Sequence, residues 1–176
     1  RIPYGLYLPC IGALMTVFVA SPALSDPAKV DRPPANFDQP QLLMDAGMGP
    51  ASVALVDLDG DGKLDLVLGQ FSRNQVSVFH GRGDGSFEPG RNFPAGYLPR
   101  AVVVADFDHD GHPDLAVADQ GSASVAVLLN DGHGGFKPAV FYPVGDAPVA
   151  LAVGALRGDG QQDLVVADEG SAEVKI

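Results

Sequence analysis

A chain of 176 residues is long enough for one ordinary domain with a sizeable core. Its net charge of −11 argues against nucleic acid and against anionic membrane surfaces as partners. Low aromatic content (7%) and 22 glycines suit a turn-rich all-β chain better than a helical one.

Taken in chain order, the first feature is an apolar run from Leu6 to Ala20, interrupted by Pro9 and followed by small residues at Ala20, Ser21, Ala23 and Ser25. Residues 1–25 are therefore expected to be a secretory signal cleaved after Ala23 or Ser25. A retained anchor or a buried element are the weaker readings, because the run is short against the roughly 20 residues of a membrane span. The mature chain is then expected to carry no stable membrane span and to be secreted, periplasmic or at the cell surface. Cys10 is the single cysteine. It would leave with the signal, so metal ions become candidate staples in place of disulfides. Residues 26–36, rich in proline and polar groups, read as a linker.

From residue 37 onward a 49-residue period sets in. PASVALVDLDGDGKLDLVLG begins at Pro50, PRAVVVADFDHDGHPDLAVAD at Pro99 and PVALAVGALRGDGQQDLVVAD at Pro148. Within one period four short strands are predicted. The first (Val53–Val56; Val102–Ala105) is almost continuously apolar and is expected to be buried on both faces. An acidic loop follows, then a second apolar strand (Leu64–Leu68; Leu115–Ala118). The third alternates more (Val76–Phe79; Val125–Leu129), and a Gly-rich turn leads to the fourth (Arg91–Pro94; Val140–Pro143). Four strands in 40 to 50 residues is the pattern of a propeller blade.

The acidic loops read DLDGDGKLD (Asp57–Asp65), DFDHDGHPD (Asp106–Asp114) and ALRGDGQQD (Ala155–Asp163), and they hold ten of the 22 acidic residues. Carboxylates at loop positions 1, 3, 5 and 9, with glycine at position 6, make an oxygen cage suited to a hard cation. The first cage would use Asp57, Asp59, Asp61, Asp65 and the Lys63 carbonyl. The second would use Asp106, Asp108, Asp110, Asp114 and the His112 carbonyl. Calcium fits better than magnesium, which prefers to keep several waters; solvated acidic turns are the bland alternative. An EF-hand is rejected because position 12 holds Leu68 or Val117 instead of glutamate. The third loop is degenerate, with Ala155 and Arg157 at positions 1 and 3, and the Arg157 guanidinium is expected to stand where the ion would, paired with Asp159 and Asp163.

The loop D-x-D-x-D-G-x-x-D, its short leading strand and the D-L-x-V-A that follows together resemble the FG-GAP or VCBS-type repeat family, which includes the calcium-binding repeats of integrin-α-like propellers. The resemblance covers Phe37–Ile176. It implies a β-propeller of four-stranded antiparallel blades with calcium bound in the loop between two strands. The expected blades span 50–98, 99–147 and a truncated 148–176, an incomplete ring to be closed by further sequence or by oligomerisation.

Other features carry less. Arg82-Gly83-Asp84 spells an adhesive tripeptide, but the matching turn of the next repeat reads Asp131-Gly132-His133, so turn geometry explains it. His80, His109, His112 and His133 fall in or beside turns without a paired spacing, and zinc binding is disfavoured. There is no G-x-S-x-G elbow or P-loop. The expectation is an exported calcium-binding module for binding or adhesion to protein or glycan, without catalysis of its own. A propeller-based polysaccharide lyase or hydrolase, or the scaffold of a larger secreted enzyme, is the alternative.

Overall fold

The computed structural model describes residues 49–176; the expected signal and linker and the first residues of the repeat region lie outside the described residues. Eleven strands fall into three antiparallel sheets. The first contains β1 (Pro50–Val56), β2 (Asp65–Gln70), β3 (Gln75–Phe79) and β4 (Arg91–Pro94), in that spatial order. The second repeats it with β5 (Pro99–Ala105), β6 (Asp114–Asp119), β7 (Ser124–Leu128) and β8 (Val140–Pro143). The third has β9 (Pro148–Gly154), β10 (Asp163–Asp168) and β11 (Glu173–Lys175). A single 3-10 turn, Gln120–Ser122, is the one helical element among the described residues. The all-β meander expected from the period is thus present in each repeat.

The period is conformational as well as sequential. Val53 pairs with Leu68 and Val102 with Val117, the same register 49 residues on. Left-handed backbone recurs at Gly49, Leu98 and Ala147 ahead of each first strand, and at Asn74, Ala123 and Ala172 between the second and third. Only the first member of the first set is glycine, so the fold holds Leu98 and Ala147 where a Cβ is disfavoured by roughly 1–2 kcal/mol.

Successive sheets stack through their first strands, β1 on β5 and β5 on β9. Side-chain alternation sends Leu115 and Val117 of β6 towards the first sheet, into a core with Ala54, Leu58, Val67, Val76, Val78 and Leu128. It sends Ala116 and Ala118 towards the third, where Val125, Leu151 and Val166 meet them. Small residues on that face let the backbones approach, while the larger side chains on the other each contribute about 1.5–3 kcal/mol on burial.

One expectation about burial is corrected. The first strand of the first repeat, β1, is not buried on both faces: Val53 is 47% and Leu55 43% exposed, whereas β5 lies between β1 and β9 with Ala101 and Val102 buried. β1 is an edge strand with one face against β5 and the other unpacked among the described residues. The most fully enclosed strand is β6, buried at all six positions because it runs inside the middle sheet.

Candidate metal centre

The acidic loops join the first and second strands of each repeat, and their shape follows from their sequence. Glycines at positions 4 and 6 of the first loop, Gly60 and Gly62, have positive φ, which lets the chain double back over its own carboxylates. The aspartates then close the loop from within. Asp57 accepts from the backbone N–H groups of Gly60 (2.8 Å) and Gly62 (2.9 Å), Asp59 from Asp61 (3.1 Å) and Asp61 from Lys63 (2.9 Å). The second loop repeats the scheme: Asp106 accepts from Asp110 and Gly111, and Asp110 from His112. His109 takes the place of Gly60 with φ 60°.

Position 9 is the buried anchor. Asp65 is 1% exposed and accepts from the N–H groups of Leu58 (3.0 Å) and Gly81 (2.8 Å). Asp114, also buried, accepts from Phe107 and Asn130, both at 2.8 Å. Burial raises the Asp114 carboxyl above its ordinary value; the N–H groups of Asn130 and Phe107 oppose this, and the charges of Asp108 and Asp110 add to it. A carboxylate desolvated beside two like charges is a place where a cation is stabilising.

Of the predicted ligands, Asp57, Asp59 and Asp61 place oxygens within 4.8 Å of one another, as do Asp106, Asp108 and Asp114. Asp110 is turned to the backbone of His112. Asp61 also pairs with the Lys63 ammonium at 2.5 Å, which lowers its pKa. Asp65 converges with Asp59 and with a residue that sequence reasoning set aside, His80. The signal was there in the period: the residue 49 positions on is Leu129, so His80 is a polar departure at a strand end. The Lys137 ammonium, 3.7 Å from Asp108, has Glu88 as its counterpart one period earlier.

In the third loop Arg157 donates from Nε (2.6 Å) and Nη2 to Asp163, which the guanidinium holds below the usual carboxylate range. Asp159 is turned instead to the N–H of Gln161 (3.0 Å). The arginine thus engages one of its two expected partners.

Oxygen-rich loops between the first two strands of a meander, recurring with the sheet, match a known pattern. The model of the FG-GAP-like repeat aligns twice, over residues 57–117 and 107–166, which together span more than half of the chain. The chain belongs to the FG-GAP-like repeat family. No curated protein matches it. Among solved structures, it is similar to a chain of the Photorhabdus luminescens Tc holotoxin pore, at 23% identity and TM-score 0.46, over 69% of this chain and 6% of that one. It is similar also to a chain of BBS1N in complex with ARL6DN, at 16% identity and TM-score 0.45, over 74% of this chain and 43% of that one. The FG-GAP-like repeats here thus span less than two thirds of either chain. Among the described residues no helix is long and apolar enough to cross a membrane.

Proposed function

We propose that this chain is an exported, calcium-binding part of a β-propeller that serves recognition of protein or glycan and is not itself catalytic. The observation that carries the calcium reading is the convergence of Asp106, Asp108 and the buried Asp114 in a loop that recurs with the fold. The donor set is all oxygen and acidic, as a hard divalent cation requires. Asp57, Asp59, Asp61 and Asp65 with the Lys63 carbonyl would hold one ion. Asp106, Asp108, Asp110 and Asp114 with the His112 carbonyl would hold the other. Bound calcium supplies positive charge that offsets the repulsion within each loop and ties the first strand to the second. The propeller reading is supported by family membership and by four-stranded meanders stacked through their first strands, with further blades closing the ring. Export is supported by the apolar leader ahead of the small residues at 20–25.

Metal removal tests the calcium reading. An ion bound only by the folded chain stabilises it by about 1.4 kcal/mol per site at tenfold saturation. EDTA is expected to lower the melting temperature, and Asp108→Ala to reproduce part of the fall in calcium while showing little further effect in EDTA. Melting unchanged by EDTA would sink the reading.

A further inference from the structure

His80 sits at the end of β3 with its imidazole turned into the first acidic loop. Its Nδ1 lies 3.3 Å from Asp65 Oδ2 and 3.6 Å from Asp59 Oδ2. The side chain is 15% exposed, and Nδ1 itself is buried without a hydrogen-bond partner. The other ring nitrogen, Nε2, lies 3.3 Å from the Gly134 carbonyl in the next repeat. A carbonyl only accepts, so this contact places an N–H on Nε2, and in the neutral imidazole Nδ1 then carries a lone pair. A lone pair facing two carboxylate oxygens is repulsive unless a cation stands between them. Either a proton or a metal ion meets that need.

We infer that Asp59, Asp65 and His80 form a mixed oxygen–nitrogen site for a first-row transition divalent cation such as Zn2+ or Co2+. Imidazole nitrogen is a ligand these ions favour and calcium does not. The spacing agrees: with metal–ligand bonds of about 2.1 Å, donor separations of 3.3 and 3.6 Å correspond to angles of about 104° and 118°, either side of tetrahedral. All three donor atoms lie within 4.8 Å of one another. The support around them is that of a formed site. Asp65 is fixed by the N–H groups of Leu58 and Gly81, and the imidazole by a backbone carbonyl on its far nitrogen, the arrangement common behind metal-bound histidine. Asp59 is the most open of the three, which leaves a fourth position to water.

The second repeat lacks this nitrogen, because Leu129 occupies the equivalent position. The two loops therefore differ: in the first, a borderline ion held by His80 competes with calcium for Asp59 and Asp65, and the second offers oxygen alone. This rests on the reading of the loops as metal sites for the second loop only; the first site stands on the His80 geometry, although it shares Asp59 and Asp65 with the calcium cage.

The test is titration of the metal-stripped full chain with Co2+, read by its visible absorption, with Zn2+ as competitor and calcium binding measured separately. One Co2+ per chain is expected, with intensified bands of a low-coordinate imidazole complex, displaced by Zn2+. His80→Leu, which installs the second repeat's residue, is expected to weaken Co2+ about a hundredfold and abolish those bands, while calcium binding persists. Asp59→Asn, at a partly exposed position, provides the same loss should His80→Leu fail to fold, and Asp106→Asn in the second loop is expected to leave Co2+ binding unchanged. Failure of the wild-type chain to bind Co2+, or equal binding by either first-loop variant in folded form, overturns the proposal. Loss of calcium binding with Co2+ binding intact would instead overturn the calcium reading alone.

Discussion

The side-chain amide of Asn130 donates to the carbonyl of Leu58, 72 residues earlier, at 2.9 Å. The same amide reaches the Pro113 carbonyl at 3.0 Å, and the Asn130 backbone N–H donates to Asp114. Because the Leu58 N–H in turn donates to Asp65, hydrogen bonds run unbroken from the buried anchor of one acidic loop to that of the next. The residue one period earlier is Gly81, where a Cβ would collide with the Leu64 carbonyl, so this bridge exists once among the described residues.

Asn130→Ala is expected to destabilise the chain by about 2 kcal/mol, because the truncation leaves the buried Leu58 carbonyl unpaired. Urea unfolding at saturating calcium measures it. A shift in midpoint with an unchanged slope would mark a local loss of stability; no shift would mean the bridge is replaced by water.

Asp119 provides the pH dependence. It is fully buried, both oxygens lack a hydrogen-bond partner of good geometry, and burial pushes its carboxyl up to about 7. A folded-state pKa above the unfolded value contributes stability that is complete below about 3.8 and is lost as pH rises through about 7. For this group alone, stability is expected to fall between pH 4 and pH 8, by at most about 4 kcal/mol. Asp119→Asn keeps the shape and removes the charge, so it is expected to raise the melting temperature at pH 8 and flatten the profile. An Asn variant that melts lower than wild type at pH 8 refutes this.

Backbone strain at Ala147 offers a stabilising change. Its φ of 61° is the left-handed conformation that Gly49 supplies two 49-residue periods earlier. Ala147→Gly is expected to gain about 0.5–1 kcal/mol, the relief of the Cβ clash less the added freedom of the unfolded chain. Thermal melting decides the sign.

The third loop can be turned back into a cage. Replacing Ala155→Asp and Arg157→Asp together restores carboxylates at positions 1 and 3 and frees Asp163 from its arginine. Calorimetric titration is expected to show one more calcium ion per chain than wild type. The single change Arg157→Ala, which strands a buried carboxylate without a counter-charge, is expected to lower stability, most clearly at neutral pH where Asp163 is ionised. An unchanged stoichiometry in the double variant would show that the third backbone no longer holds the loop geometry.

Strand order, strand type and the loop positions were legible from the period because they depend on local chemistry. Alternating apolar runs, glycines that permit positive φ and aspartates that cap their own turns act within ten residues of one another, and β4 and β8 fall where the sequence places them. Burial was less legible. Val53 and Val102 occupy the same register, yet Val53 is exposed and Val102 buried, since only the latter has a sheet on that side.

What the sequence by itself determined is the repeat: an all-β meander with an acidic loop after its first strand, and a third loop in which arginine replaces the cage. What only the tertiary structure decided is which carboxylates meet and what meets them. Asp65 opens β2 while His80 directly follows β3, and the Gly134 carbonyl that orients the imidazole belongs to the next repeat. Histidine spacing along the chain carries no sign of that meeting. A nitrogen ligand brought in by strand pairing is set by the register of β2 on β3, and register is a property of the folded sheet.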